Sequence, residues 1–221
     1  MGSEMCIRDR FVLVNLVTIN LIAFMLAYVL SRKLRGTNIF RTVIFMPNLL
    51  GGIVLGYIWQ LIINGFLSFF KTTLTADAAY GFWGMVLAMN WQMIGYMMVI
   101  YIAAIQNISE EVKEAALIDG CTRWQTYWKI VFPLLKPTIA TVAIIDAMAF
   151  WNDYLLPSLV LNINQYKTIP IAIQYLKQSH GMIDWGAMMA MLVLAILPIV
   201  IFYIVCQKYI IEGVLAGAVK G

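Results

Sequence analysis

Three polar side chains, Asp146, Asn152 and Asp153, lie in an otherwise apolar stretch of the sequence. Asp146 and Asp153 are seven residues apart, so an unbroken helix would present both on one face. A charge at the centre of a bilayer costs about 2.5–3.5 kcal/mol on insertion scales, so such a group faces protein or water. Either these groups hydrogen-bond a polyhydroxylated solute along a pathway, or they join neighbouring helices. Of the two interpretations we favour the second.

Other site chemistry is not indicated by the sequence. It contains no GxxxxGK[ST] loop of the kind that binds nucleotide phosphates. Cys6, Cys121 and Cys206 are far apart and share no ligand spacing with His180. No basic cluster interleaved with aromatic residues suggests nucleic-acid binding. We therefore expect a chain that is not an enzyme and that binds no metal, cofactor or nucleic acid.

The composition is that of a membrane protein. Of 221 residues, 62% are hydrophobic and 12% are charged, about half the charged share of a typical soluble domain. Because a spanning helix needs roughly 20 mostly apolar residues, we predict an all-α, polytopic membrane bundle. Its five predicted spans are Phe11–Leu30, Thr42–Ile63 (interrupted by Pro47, Gly51, Gly52 and Gly56), Phe82–Ile105, Thr138–Leu161 and Gly186–Cys206.

The basic residues predict the orientation of these spans. Beyond residue 10, ten Lys and Arg residues fall in Ser31–Arg41, Gln106–Pro137 and the C-terminal tail, and only three fall in the loops between them. Cytoplasmic loops carry the excess of positive charge. Both long segments and the C-terminus are therefore expected in the cytoplasm.

The first ten residues, MGSEMCIRDR, lack the apolar stretch and cleavage site of a signal peptide. We interpret 1–10 as a non-native leader and 11–221 as the transmembrane domain. Five crossings place the start of Phe11–Leu30 outside the cell, which leads to the expectation of a further helix upstream.

The segment 107–137 is unusually polar for this chain. Ser109 is a candidate N-cap, and Glu110 and Glu111 suit the positive end of a helix dipole. Gly120 is a good stop for that helix. Thr122 with Gln125 forms a capping-box pattern that opens a second helix. From composition alone, a surface that docks a partner and an ordinary amphipathic helix on the membrane are equally supported.

The spacing within this segment resembles a known signature. Glu114-Ala115-Ala116, then Gly120, Ile130 and Pro133, follows the EAA motif of bacterial ABC importer permeases, with Phe132 where the motif has Leu. The resemblance implies that the loop couples to a dimer of separate ATPase subunits, which use the ATP. The residues it implicates in coupling are Glu114, Ala115, Ala116, Asp119, Gly120, Ile130 and Pro133.

Other motifs look like the carbohydrate-uptake (maltose-type) branch of these permeases: Met46-Pro47-Asn48, Gly56-Tyr57-Ile58-Trp59 and Trp151 to Pro157. The resemblance implies import of sugars or oligosaccharides across the bacterial cytoplasmic (inner) membrane. It also implies a second permease subunit and an extracytoplasmic solute-binding protein as partners. A permease for glycerol phosphate or an amino acid is the alternative. A stand-alone secondary carrier is less favoured, because no inverted repeat is evident.

The resemblance is divided along the chain. The first half is similar to the first permease of maltose-type pairs, whereas the fourth and fifth spans and the tail are similar to the second. A natural variant and a fusion of two neighbouring genes at the shared EAA loop both account for this division.

Overall fold

The computed structural model describes residues 2–31, 36–160, 169–178 and 185–218. Every regular element in these ranges is helical. The α-helices are α1 (Gly2–Leu30), α2 (Thr37–Phe45), α3 (Gly52–Ser68), α4 (Ala78–Gln106), α5 (Glu110–Ile118), α6 (Arg123–Thr126), α7 (Phe132–Asn152), α8 (Leu155–Val160), α9 (Ile169–Gln178) and α10 (Trp185–Ala218).

Four stretches within these helices are long and apolar enough to cross a membrane, and a bent helix pair provides a fifth. The prediction of an all-α bundle with five spans is therefore confirmed. The four stretches are Arg10–Leu30, Ala79–Gln106, Tyr127–Asn152 and Trp185–Lys208.

The second predicted span is broken rather than continuous. Thr37–Leu49 and Gly52–Ser68 meet at an angle of 99°. Pro47 lies at the start of a 3₁₀ turn, Met46–Leu49, and the backbone of Gly51 is extended before α3 begins. The interruption predicted at Pro47 and Gly51 is confirmed, but the pair does not form one straight helix.

The bounds predicted for the fourth span, Thr138–Leu161, are wrong. The helix is continuous from α6 through a π-helical segment, Tyr127–Val131, into α7 and ends at Asn152. Pro133 and Pro137 do not end it, because membrane helices tolerate proline where local π adjustments and neighbours satisfy the freed carbonyl groups. Residues 123–137 of this segment therefore form the first part of a spanning helix.

The core lies where α1 packs on α4 and α7. Only one narrow stripe of α1 is fully buried, with a side chain every three or four residues, which is the spacing of one helix face. The buried residues of this stripe are Phe11, Asn15, Ile19, Ala23, Ala27 and Leu30.

Gly95 allows α4 to approach α2 very closely. A Cβ atom built on Gly95 would overlap the backbone carbonyl of Ile44, which cannot rotate away as a side chain can. Small residues at helix contacts let backbones come together in membranes, where no hydrophobic force drives helices to associate. The position of the bent pair against α4 therefore depends on this glycine.

We predict that Gly95→Ala destabilises the protein by about 1–3 kcal/mol, the usual effect of overpacking a tight contact. Gly65→Ala is the matched control, because a Cβ there meets nothing within 4 Å. The control should be neutral or slightly stabilising, since alanine favours helix more than glycine does. Thermal unfolding of the detergent-purified protein measures both. Equal midpoints for the two variants would contradict the close approach.

Candidate functional site

The predicted polar helix is present as α5. Ser109 occupies the N-cap position with extended backbone, but its side chain makes no capping hydrogen bond. Glu110 and Glu111 lie in the first turn, where negative charge interacts favourably with the helix dipole. The helix is thus stabilised at its start by charge and not by the serine hydroxyl.

Gly120 ends α5 as predicted. Its φ is 81°, in the left-handed region that glycine adopts without steric penalty. The Cys121 N–H donates to the Ala116 carbonyl at 2.9 Å, and the Gly120 N–H donates to the Leu117 carbonyl at 3.1 Å. This pair of bonds is the Schellman motif. It satisfies carbonyl groups that a helix end otherwise leaves without partners.

The capping box after the glycine is also confirmed. The Thr122 N–H donates to Gln125 Oε1 at 2.8 Å, and the Gln125 N–H donates to Thr122 Oγ1 at 3.3 Å. The chain between α5 and α6 is therefore fixed by reciprocal hydrogen bonds on both sides of the turn. The orientation of α5 relative to α6 is fixed, because the turn that joins them is itself hydrogen-bonded.

The two alanines of the EAA motif have different surroundings. Ala116 is 3% exposed, whereas Ala115 and the acidic Glu114 and Asp119 are exposed. Ile118, at the end of the helix, is 85% exposed. An apolar residue so exposed, beside carboxylates and a small alanine, forms a surface suited to a partner's groove. Ala116, being buried, does not contribute to this exposed surface.

Ile130 and Pro133, the last two residues of the motif, lie on the helix that follows. Ile130 is half-buried in the π-helical segment, and Pro133 is exposed near the start of α7. π-helical insertions are frequent at functional sites. These two residues therefore lie where the loop becomes a spanning helix.

Asp146 is buried in the core and is hydrogen-bonded to Asn20, which joins three helices. It has no exposed surface, and its Oδ2 atom accepts a hydrogen bond from Asn20 Nδ2 at 3.0 Å. The Tyr101 hydroxyl donates to Asn20 Oδ1. One turn and a half away, Asn90 Nδ2 donates to Asn15 Oδ1 at 3.0 Å. This geometry matches the helix-joining interpretation of Asp146.

Asp153 and Asp146 do not share a helix face, contrary to the expectation from their spacing. α7 ends at Asn152, and the backbone of Asp153 is extended. Asp153 Oδ1 accepts hydrogen bonds from the Leu155 and Leu156 N–H groups at 3.0 and 3.3 Å, so it caps α8. The spacing argument required an unbroken helix, and the chain breaks between the two carboxylates.

Asn152 and Asp153 line a cleft of about 250 Å³ at the meeting point of two helix breaks. Gly52, just after the bend between α2 and α3, forms one wall, and Gln92 of α4 forms another. Gln92 was not among the site residues predicted from sequence. Its polar type inside an apolar span was the available signal, but only the fold brings it opposite Asp153.

We predict that Asn20→Leu destabilises the bundle by about 1–3 kcal/mol, because it leaves Asp146 and Tyr101 buried without that partner. Asn152→Leu is the matched control, since the exposed Asn152 amide donates only to Met148 of its own helix. The control should shift stability by less than about 0.5 kcal/mol. Thermal unfolding in detergent tests the pair, and similar losses in both would argue against the buried network.

Comparison with known proteins places the chain in a family. Residues 19–215 match the family model described as binding-protein-dependent transport system inner membrane component. The chain is 47% identical over 121 residues to the probable starch degradation products transport system permease protein AmyC of Thermoanaerobacterium thermosulfurigenes. That match covers 55% of this chain and 44% of the relative. AmyD of the same organism is 40% identical over 141 residues, covering 58% and 47%.

Other matches extend further at lower identity. The trehalose/maltose transport system permease protein MalG of Thermococcus litoralis is 27% identical over 219 residues, covering 97% of this chain and 75% of that protein. A chain of the crystal structure of a bacterial alginate ABC transporter, in complex with its alginate pentasaccharide-bound periplasmic protein, superposes with a TM-score of 0.69. It is 19% identical and covers 92% of this chain and 74% of that one.

The chain spans about half the length of the first curated relatives it matches. AmyC and AmyD, two permeases of one named system, each match little more than half of this chain. With helices that cross the membrane several times and a family match over most of its length, this chain belongs to the inner membrane components of binding-protein-dependent transport systems.

Proposed function

We propose that this chain is a membrane-spanning subunit of an ATP-driven ABC importer for sugars or oligosaccharides in a bacterial cytoplasmic (inner) membrane. Its partners are a dimer of ATPase subunits, a second permease and an extracytoplasmic solute-binding protein. ATP is bound and hydrolysed by the ATPase subunits, in keeping with a sequence that lacks a phosphate-binding loop. This chain itself is a permease and not an enzyme.

The solute class rests on the relatives. They are named as permeases for starch degradation products, multiple sugars, arabinooligosaccharides, and trehalose or maltose. These names describe those proteins, and their shared chemistry is a polyhydroxylated solute. The cleft beside Asn152, Asp153 and Gln92 suits such a solute, since amides and a carboxylate can hydrogen-bond hydroxyl groups.

The single observation that carries the coupling role is the exposed helix α5, which a Schellman turn and a capping box fix to the next helix. A cleft between ATPase domains would receive the exposed Ala115 and Ile118, with Glu114 and Asp119 at its edges. When the ATPase dimer closes on ATP, the bound helix moves with it.

The motion of α5 reaches the solute cleft through one helix. Residues 123–152 run without a break from the turn after α5 to Asn152, a length of about 45 Å at 1.5 Å per residue. A displacement at the loop therefore tilts the wall of the cleft. Switching between inward- and outward-open states by such rigid tilting is a common form of conformational change.

We predict that Ala115→Trp lowers ATP-driven uptake by about tenfold or more, the equivalent of about 1.4 kcal/mol in docking, because the indole blocks insertion of α5 into the ATPase. Ala79→Trp is the matched control, since Ala79 is also exposed and lies at the start of α4, the end remote from α5. Uptake of radiolabelled maltotriose, trehalose and arabinotriose into proteoliposomes containing the whole complex is the measurement. Both variants must first be present at normal levels in the membrane.

Equal uptake by Ala115→Trp and the control would refute the coupling role of α5. If none of the three sugars enters while a glycerol phosphate or amino acid does, the carbohydrate assignment is wrong and the coupling role stands. If no ATPase subunits co-purify with the wild-type chain, the proposal that it is part of an ABC importer is refuted.

We predict that Asp153→Asn weakens solute affinity about tenfold, since a hydrogen bond to a charged group contributes about 1.5–3 kcal/mol. Asparagine also caps helices well, so α8 should remain intact. Asp77→Asn is the control, because Asp77 likewise caps a helix, α4, through the Ala79 N–H but lies far from the cleft. The concentration dependence of uptake measures both, and unchanged affinity in Asp153→Asn would exclude this carboxylate from the pathway.

A further inference from the structure

A second cleft, also of about 250 Å³, lies between α1, α7 and α10. It is separate from the polar cleft, because the latter is formed by α3, α4 and the end of α7. The residues that define the second cleft are Val12, Leu16, Met148, Trp151, Pro198 and Phe202.

The cleft is the seam that remains where α10 packs on α7 and α9 beside α1. The Trp151 indole N–H donates to the Ala195 carbonyl at 3.0 Å and so ties α7 to α10. That bond falls one turn before Pro198, which lies inside α10 and has no N–H to offer the preceding turn. The wide indole and the proline together separate α10 from α1.

The lining of this cleft cannot hold a sugar. Its side chains are apolar except for the Trp151 indole N–H, which already donates a hydrogen bond to the Ala195 carbonyl. A hydroxylated solute would lose its hydrogen bonds to water without replacing them. Water itself needs two to four polar partners to occupy a cavity.

The cleft is enclosed by segments that are long and apolar enough to span a membrane. Its walls come from the three apolar stretches Arg10–Leu30, Tyr127–Asn152 and Trp185–Lys208. The cleft opens to the outside of the helix bundle, since its lining residues Leu13 and Met148 are 61% and 43% exposed. The cleft therefore continues the surface that meets hydrocarbon.

We propose that this cleft binds one acyl chain of a membrane phospholipid, which lies along α10 beside Pro198. Within a bilayer, no hydrophobic force favours moving an acyl chain from the surrounding lipid into the cleft. The acyl chain is therefore held by van der Waals contact with three helices at once. A free lipid tail makes fewer such contacts, and an unfilled gap of this size would forfeit them. The proposal does not depend on which solute the protein carries.

Photocrosslinking of a retained lipid tests the proposal. A phosphatidylethanolamine with a diazirine in its acyl chain is added to membranes that contain the full-length chain. The protein is extracted in mild detergent, washed with lipid-free detergent and then irradiated. We expect crosslinks in peptides with residues 12–16 and 198–202 to survive the wash, severalfold above those at Leu61, which is 73% exposed on α3.

Matched substitutions on α1 identify the cleft as the site. Leu16→Trp fills it and should reduce the retained crosslinks severalfold, whereas Leu21→Trp, at a residue 54% exposed and outside the cleft, should leave them unchanged. Ala147→Leu provides a second filling variant if Leu16→Trp does not fold.

Three outcomes would overturn the proposal. Crosslinks at 12–16 and 198–202 that wash away as completely as those at Leu61 would mean transient lipid contact only. Crosslinks that persist in both filling variants would place the lipid elsewhere. If these peptides lose their lipid crosslinks in the assembled complex and crosslink to another subunit instead, protein covers the cleft.

Discussion

The buried hydrogen bonds of Asn20 hold three spanning helices in one register. Asn20 lies on α1, and its side-chain amide is hydrogen-bonded to Asp146 on α7 and to Tyr101 on α4. In hydrocarbon the apolar parts of helices gain nothing by leaving lipid for one another, so polar contacts and close packing must specify which faces meet. The position of α7 relative to α1 and α4, and with it the wall of the polar cleft, depends on this link.

The irregular backbone of this chain lies where other parts of the protein surround it. The break at Met46–Gly51 abuts α4, where Gly95 lacks a side chain. The break at Asp153 is satisfied by the carboxylate that caps α8. Non-helical backbone at membrane depth is tolerated only where it is buried or lines a cavity. The two breaks meet at one cleft, so the constraint on the backbone also creates a cavity with polar side chains in its wall.

The parts of the fold that sequence predicted well are those specified by local chemistry. The stop at Gly120 and the box formed by Thr122 and Gln125 involve residues three to five apart, and each has a residue type suited to one backbone geometry. The number of spans followed from apolar length. These features need no knowledge of what packs against them.

Sequence failed where the outcome depended on distant neighbours. The expected common face of Asp146 and Asp153 assumed an unbroken helix, but α7 ends between them at Asn152. The fourth span was predicted to start at Thr138, but the helix begins earlier and continues through the π-helical segment, Pro133 and Pro137. The different burial of Ala115 and Ala116 and the contact at Gly95 are set by tertiary packing, which residue type alone does not encode.

The unbroken helix from Arg123 to Asn152 also bears on how such a protein can change over evolution. Its two ends are specified by different residues: the loop end by the turn around Gly120, the cleft end by Asn152 and Asp153. Substitutions that alter the lining of the cleft therefore need not disturb the surface of α5. The two ends of the helix could then diverge independently, provided that the helix between them remains unbroken.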